Sequence, residues 1–307
     1  MFIVNPDPFL LPAYRMSPFK TDDITINATL PNTDSAATYL NKKFGNSNWQ
    51  YTYNGREAIN LALQSYNLQT TDVVTIITTS QNFYISSCVT KEIEKFCRWN
   101  RELLPETKVI LVNHEFGFAY PEMQKLKATR LPIIEDCCTT FFSQDVDQKV
   151  GKYGDFSVYS LPKFFPIQIG GILVTNTNTR LGTSILSDNE RQYIQNVVSD
   201  NLTNEESLLQ KRNANYDYAM NAALTFGFTP RFKMEDFQIP YALVLNNNSV
   251  IQDLNEFKAF LSQRGIQNSM FYGEDAFFLP SHQNLSFKDI DLIFHTIRYF
   301  IEKIENI

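Results

Sequence analysis

The chain has 307 residues, 43% of them hydrophobic and 20% charged, with 27 basic against 33 acidic side chains and a formal net charge of −6. That is enough apolar material for a sizeable core, and the length suits one large domain and one small one. The acidic balance and the lack of a basic cluster argue against nucleic acid as a partner, and without a run of about 18 apolar residues no membrane span is expected.

The first residues, Met1-Phe-Ile-Val-Asn-Pro-Asp-Pro-Phe-Leu-Leu-Pro12, are apolar but broken by three prolines and lack a basic start. They fit neither a signal peptide nor a membrane span, so sequons such as Asn201-Leu-Thr203 are expected to stay unmodified. The next informative stretch is Tyr51-Thr-Tyr-Asn54-Gly55-Arg56-Glu57-Ala58-Ile59. Asn54 is a good N-cap, and Ala58, Ile59, Ala62 and Leu63 give one apolar helical face. The N–H groups of Gly55 and Arg56 then stand at a helix start, either as an ordinary cap or as a phosphate site that glycine lets a ligand approach.

Apolar runs suited to strands follow at residues 73–77, 109–112, 133–134, 156–159 and 172–174, alternating with helical patterns at residues 84–96 and after Pro121. Such alternation predicts right-handed βαβ units and a mainly parallel sheet with helices on both faces. Within Leu131-Pro-Ile-Ile-Glu135-Asp136-Cys-Cys-Thr139 the apolar residues read as a buried strand. It delivers Asp136 at its carboxyl end, as a loop charge or as a ligand contact where open α/β sheets bind.

Lys163 lies in Ser160-Leu-Pro-Lys163-Phe-Phe-Pro-Ile-Gln-Ile-Gly170-Gly171. Its stem can lie along apolar surface while the ammonium reaches water. Alternatively, desolvation lowers its pKa toward the neutral amine, a nucleophile for carbonyl compounds. Beyond residue 201 a polar helix pattern runs through residues 210–216. Residues 239–245 form a strand, residues 253–264 a helix stopped by Gly265, and Gly265-Ile-Gln opens a returning strand. The last helix starts at Ser286 with Asp289 three residues on, and Ile290, Ile293, Phe294, Ile297, Phe300, Ile301 and Ile304 trace its buried stripe.

The four cysteines, Cys88, Cys97, Cys137 and Cys138, show no C-x-x-C spacing, and their low number suits reduced thiols, so a cytoplasmic protein is expected. His114, His282 and His295 are far apart in sequence, so no metal is expected.

Taken in order, these segments resemble the DegT/DnrJ/EryC1/StrS family of sugar aminotransferases over roughly residues 33 to 300. Asn54-Gly55-Arg56-Glu57-Ala58 is similar to the family's phosphate turn, and Ile134-Glu135-Asp136-Cys137-Cys138 to its Glu-Asp-Ala-Ala motif. Val112-Asn-His114-Glu-Phe-Gly117 resembles its Val-His-x-x-Gly segment, and Leu279-Pro-Ser-His282-Gln-Asn-Leu285 its carboxyl-terminal signature. The resemblance implies an α/β protein of the pyridoxal-phosphate-dependent transferase fold type I. A mainly parallel, seven-stranded-type sheet would be sandwiched by helices, with a small α+β domain at the carboxyl end. An amino-terminal arm would span 1–32, the large domain 33–210 and the small one 211–307.

The resemblance also implies pyridoxal 5'-phosphate as cofactor. Lys163 would hold it as a Schiff base and act as catalytic base and acid, Asp136 would pair with the ring nitrogen, and Phe83 would stack on the ring. Thr139 would lie near the ring hydroxyl, while Asn54, Gly55, Arg56 and Ser160 would surround the phosphate. The implied reaction transfers an amino group from an amino acid, glutamate foremost, to a keto sugar linked to a nucleotide. This is chemistry used in cell-surface polysaccharide biosynthesis, and a homodimer is implied. Two departures stand out: only two residues separate Ser160 from Lys163, and an Asn- and Arg-rich stretch is missing between Thr175 and Gln210. They leave open a non-catalytic scaffold that binds the cofactor or a sugar nucleotide. A sugar dehydratase of the same fold is disfavoured by Lys163, since dehydrating relatives tend to replace that lysine.

Overall fold

The computed structural model describes residues 12–303. Most of the proline-broken start and the stripe residue Ile304 lie outside the described residues. After α1 (Asp23–Ala28) and α2 (Ser35–Phe44) the chain enters β1 (Trp49–Thr52) and α3 (Gly55–Gln64). It then alternates through β2 (Val73–Thr78), α4 (Ser87–Ile93), β3 (Arg98–Asn100), β4 (Thr107–Asn113), α5 (Met123–Ala128), β5 (Ile133–Asp136), β6 (Phe156–Ser160) and β7 (Gly171–Thr175). These seven strands form one sheet in the order β1-β7-β6-β5-β4-β2-β3. The pairs β2–β3, β2–β4, β4–β5 and β5–β6 are parallel, whereas β7 runs antiparallel to both β6 and β1.

Strand alternation explains the layering, because successive side chains leave opposite faces. Val109 and Leu111 of β4, with Val158 of β6 and Leu173 of β7, pack under α3 and α4. Ile110 and Val112 face α5. Tyr159, Ile172 and Val174 instead meet Ala36 and Leu40 of α2 and Ile194 and Val197 of the later α6. Helices therefore cover both faces, as expected.

After β7 come α6 (Asp188–Thr203) and α7 (Glu205–Leu224), then β8 (Thr229–Pro230), β9 (Ala242–Asn246), α8 (Leu254–Ser262), β10 (Ser269–Met270), β11 (Ala276–Pro280) and α9 (Phe287–Lys303). β10-β11-β9-β8 make a second, antiparallel sheet. Leu243, Leu245, Phe277 and Leu279 on one of its faces pack with α7, α8 and the α9 stripe. Val244, Ala276 and Phe278 on the other join the core that includes Phe116 and Tyr241. The boundary expected after residue 210 falls inside α7, whose Tyr216, Ala219 and Ala223 belong to the second sheet's core. Ser286 and Asp289 close the start of α9 reciprocally, with the Ser286 N–H on Asp289 Oδ2 at 2.7 Å and the Asp289 N–H on Ser286 Oγ at 3.2 Å.

Candidate functional site

A cavity of about 850 Å³ opens between the carboxyl ends of β4, β5 and β6 and the inner face of the second sheet. Its size suits a small-molecule or cofactor site. Asn54, Gly55, Arg56, Asp136, Thr139, Ser160 and Lys163 all line it, so seven of the eight residues singled out from sequence meet in one place.

One end of the cavity is the start of α3. Asn54 is extended, with φ −163°, and its side chain accepts the Glu57 N–H at 3.0 Å, while the Glu57 carboxylate accepts the N–H of Tyr53 and, at 2.7 Å, that of Ile185. The N–H groups of Gly55 and Arg56 are left for a ligand, at the positive end of the helix dipole. A Cβ on Gly55 would stand 3.0 Å from Cys138 Sγ and 3.4 Å from Ser160 Cβ. Glycine therefore lets the helix start approach the ends of β5 and β6.

Asp136 is 3% exposed and its two carboxylate oxygens accept from Asn113 Nδ2 at 2.8 Å and from the Cys138 N–H at 3.1 Å. These bonds fix a negative charge at the cavity wall. Lys163 ends a single 3-10 turn, Leu161–Lys163, closed by the Phe164 N–H on the Leu161 carbonyl at 3.0 Å and tied to the residue before β7 by the Leu161 N–H on the Gly170 carbonyl at 3.0 Å. Gly170 has φ +114°, and a Cβ there would meet Leu161 Cδ1 at 2.9 Å. The half-buried Lys163 sends Nζ to the Tyr241 hydroxyl at 3.2 Å. The lowered pKa expected from its apolar neighbours is not found. Tyr241 first, against the desolvation of burial, and then the hydrogen bond to it, Cys138 and Asp136 hold the ammonium above its ordinary value. Phe164 and Phe165 turn into the core, while the amine reaches a polar wall.

Phe83 requires a correction. Its ring is 78% exposed, lies beside the Arg101 guanidinium and is absent from the cavity lining, so the structure does not place it for stacking. Tyr84, expected within a helix, sits instead in the loop before α4 and lines the cavity against Phe271, with ring centroids 5.1 Å apart. The Asn82 side chain accepts the Tyr84 N–H and so turns this residue rather than Phe83 inward. Thr139 donates its hydroxyl to the His114 carbonyl at 2.7 Å, which leaves its oxygen lone pairs for the cavity.

Sequence reasoning missed Tyr241, which it placed inside a strand although Pro240 marks the strand's entrance. It also missed Glu115, a cavity residue 3% exposed, whose Oε2 accepts the Ser80 N–H and hydroxyl, both at 2.6 Å, and whose carboxyl burial pushes up. An acid just beyond an apolar strand was the available signal.

His114, Glu135 and Cys137 cluster with their ligand atoms within 4.8 Å. The Tyr120 N–H donates to His114 Nδ1 at 3.0 Å, so Nε2 carries the proton and gives it to Glu135 Oε2 at 3.1 Å. Glu135 also accepts the N–H groups of Gly151, Tyr153 and Gly154 at 2.7–2.9 Å. With both imidazole nitrogens and both carboxylate oxygens engaged, the cluster staples the turn after β5 rather than presenting open metal ligands.

Residues 99–187 match the sequence model of the DegT/DnrJ/EryC1/StrS aminotransferase family. No curated protein sequence matches the chain. Among solved structures the chain is similar to Helicobacter pylori PseC, an aminotransferase involved in the biosynthesis of pseudoaminic acid. That similarity has TM-score 0.70 and 16% identity, covering 94% of this chain and 99% of that one. The aminotransferase TlmJ from Streptoalloteichus hindustanus aligns with TM-score 0.68 and 14% identity over 90% of this chain and 93% of its own. The PLP form of the putative sugar aminotransferase Spr1654 from Streptococcus pneumoniae aligns with TM-score 0.63 and 15% identity over 97% and 99%. At these identities the likeness establishes the fold, that of the fold type I aminotransferases.

Proposed function

We propose that this chain is a pyridoxal-phosphate-dependent sugar aminotransferase of the DegT/DnrJ/EryC1/StrS family, which takes an amino group from an amino acid, glutamate foremost, and gives it to a nucleotide-linked keto sugar. The observation that carries this reading is the convergence on one cavity of a free helix start, a fixed carboxylate and a primary amine. The donor set fits pyridoxal phosphate: the close approach that only Gly55 permits leaves a cradle at the α3 terminus, and Asp136 supplies a buried charge on the same wall.

When bound, this cofactor supplies a reactive aldehyde and an electron-accepting ring. Gly55 and Arg56 N–H groups, with the Asn54 cap and the Ser160 hydroxyl beside them, hold the phosphate. Asp136 would supply the negative charge that pairs with a protonated ring nitrogen, and Thr139 would contact the ring hydroxyl. Lys163 would hold the cofactor and, as a free amine, would serve as the base and acid that takes up and returns the substrate proton. Tyr241 sets the protonation of that amine.

A homodimer is expected, since two-fold assemblies are the commonest among soluble oligomers. The four cysteines are all unpaired, which supports a reducing, cytoplasmic setting. No described helix is long and apolar enough to cross a membrane.

The test is spectroscopic. Protein loaded with pyridoxal phosphate should be yellow, and borohydride followed by peptide mapping should fix the cofactor to Lys163. Glutamate should abolish the visible band and a keto sugar nucleotide should restore it. Cofactor fixed at Lys149 or Lys152 would overturn the assignment. A bound cofactor inert to every donor would support the scaffold reading, and a response to donor without any sugar acceptor would remove the sugar.

A further inference from the structure

Arg212 lies in α7, 0% exposed, and among the described residues no carboxylate forms an ion pair with it. Burial lowers its pKa to about 9. An unpaired buried cation is costly, and an apolar side chain of similar length would be cheaper at a site that needed only filling. Among the described residues the guanidinium Nε has no partner, and the two terminal nitrogens donate chiefly to main-chain carbonyls. Nη1 reaches those of Pro240 at 3.2 Å and Tyr241 at 3.4 Å, and Nη2 that of Lys163 at 3.3 Å. Nη2 also donates to Gln283 Oε1 at 2.6 Å, and Gln283 Nε2 donates to the Phe164 carbonyl at 2.7 Å. The Arg212 Cζ lies over the Phe164 ring, 4.6 Å from the centroid.

Two planar side chains from the second-sheet unit thus bolt residues 163 and 164, at the end of the large sheet, to residues 240 and 241, at the entrance of β9. The side chains of the two bolted segments are those that meet in the cavity, Lys163 Nζ on the Tyr241 hydroxyl at 3.2 Å. We infer that Arg212, seconded by Gln283, is a positioning residue that holds the Lys163 amine against the Tyr241 hydroxyl and so sets how readily that amine gives up its proton. The consequence for catalysis rests on the proposed role of Lys163; the contact itself does not.

The rigid fork matters as much as the charge. Lysine at position 212 would supply a point charge with no fixed geometry, and it could not span four acceptors from three chain segments. Loosening the bolt releases Lys163 from Tyr241 while leaving it desolvated, so the amine becomes more often neutral.

The test needs no cofactor. Competitive labelling of the unloaded protein with acetic anhydride across pH, read at Lys163 by mass spectrometry, reports the amine's proton affinity. Tyr241→Phe should raise labelling at pH 8, and Arg212→Lys should raise it in the same direction, by about tenfold for a one-unit fall. Combined with Tyr241→Phe, Arg212→Lys should add nothing further. If Arg212→Lys does not fold, Gln283→Leu carries the same expectation. A labelling profile unchanged in Arg212→Lys while Tyr241→Phe shifts it would overturn the inference. So would an Arg212 effect that persists in full without the Tyr241 hydroxyl. Failure of the cofactor reading would show separately, as a wild-type protein that never turns yellow although its Lys163 responds to these substitutions.

Discussion

His282 gives the sharpest pH prediction. It is 3% exposed, follows β11, and its Nδ1 accepts the Asn284 N–H at 3.2 Å, so protonation there would break a bond as well as bury a charge. Burial first, and then the nearby Arg212 cation, push its pKa down from 6.5 to about 3. Between those two values the unfolded chain holds a proton that the native protein refuses, so stability falls as pH falls through this window and is unaffected above it. Each unit below 6.5 removes about 1.4 kcal/mol, hence about 2 kcal/mol at pH 5, a large share of a net stability of about 5–15 kcal/mol.

Glu115 runs the other way. Its raised carboxyl keeps a proton longer in the native state, so its contribution is lost as pH rises above the ordinary value. The comparison must therefore be a difference between wild type and His282→Gln, in which the Glu115 contribution cancels. Urea unfolding followed by tryptophan fluorescence at pH 7.5, 6 and 5 should show the variant less stable at pH 7.5 by a fixed amount. The gap should then shrink by about 2 kcal/mol on reaching pH 5. A gap constant to within about 0.5 kcal/mol over that range would show that His282 titrates alike in both states and refute the reasoning.

Asp136→Asn should keep the cofactor but slow turnover by about 10²- to 10⁴-fold, because it removes the charge that holds the ring proton while retaining a hydrogen-bonding amide; turnover within twofold of wild type would point to another acid. In Gly171→Ala the new methyl would stand 2.6 Å from the Asn54 carbonyl carbon and from Thr52 Oγ1, so β1 and the α3 start must move. A loss of about 3 kcal/mol in urea unfolding is expected. Gly182→Ala meets the flexible ends of two side chains, Leu61 at 3.0 Å and Gln64 Oε1 at 3.8 Å, and should stay within about 1 kcal/mol. Tyr84→Ala should weaken cofactor binding by about tenfold in a visible-band titration, the size of a lost aromatic contact, whereas Phe83→Ala should leave it within about twofold. The reverse order would restore Phe83 as the stacking residue.

What was legible in the sequence shares one property: it depends on position along a strand. The runs at 73–77, 109–112, 133–134, 156–159 and 172–174 are apolar because both sheet faces are covered, and each lies within β2, β4, β5, β6 or β7. A parallel strand that ends at a known residue also tells where its next side chain stands, which is why Asp136 could be read from its strand, whereas Ser160 was named only through the family resemblance. Elements with a different physical basis were missed. Trp49 and Gln50 of β1 are only half-buried, the three residues of β3 are largely exposed, and α6 is polar over most of its length.

The direction of the Lys163 shift failed for a related reason. Its neighbours in sequence are apolar, but the groups that decide its charge are neighbours in space. Tyr241 is 78 positions away, and the Arg212 and Gln283 that hold the two together come from 49 positions beyond Lys163 and 71 beyond Arg212. No periodicity connects these three, because they leave a strand entrance, a helix interior and a loop after a strand, all in the second-sheet unit. The large sheet therefore fixes which groups reach the cavity, and that is written locally. How its amine is protonated is decided by a separate unit packed against it, so substitutions at Arg212, outside every recognisable motif, or at Gln283, an unspecified position of the carboxyl-terminal signature, should tune the site as strongly as substitutions of the motif residues themselves.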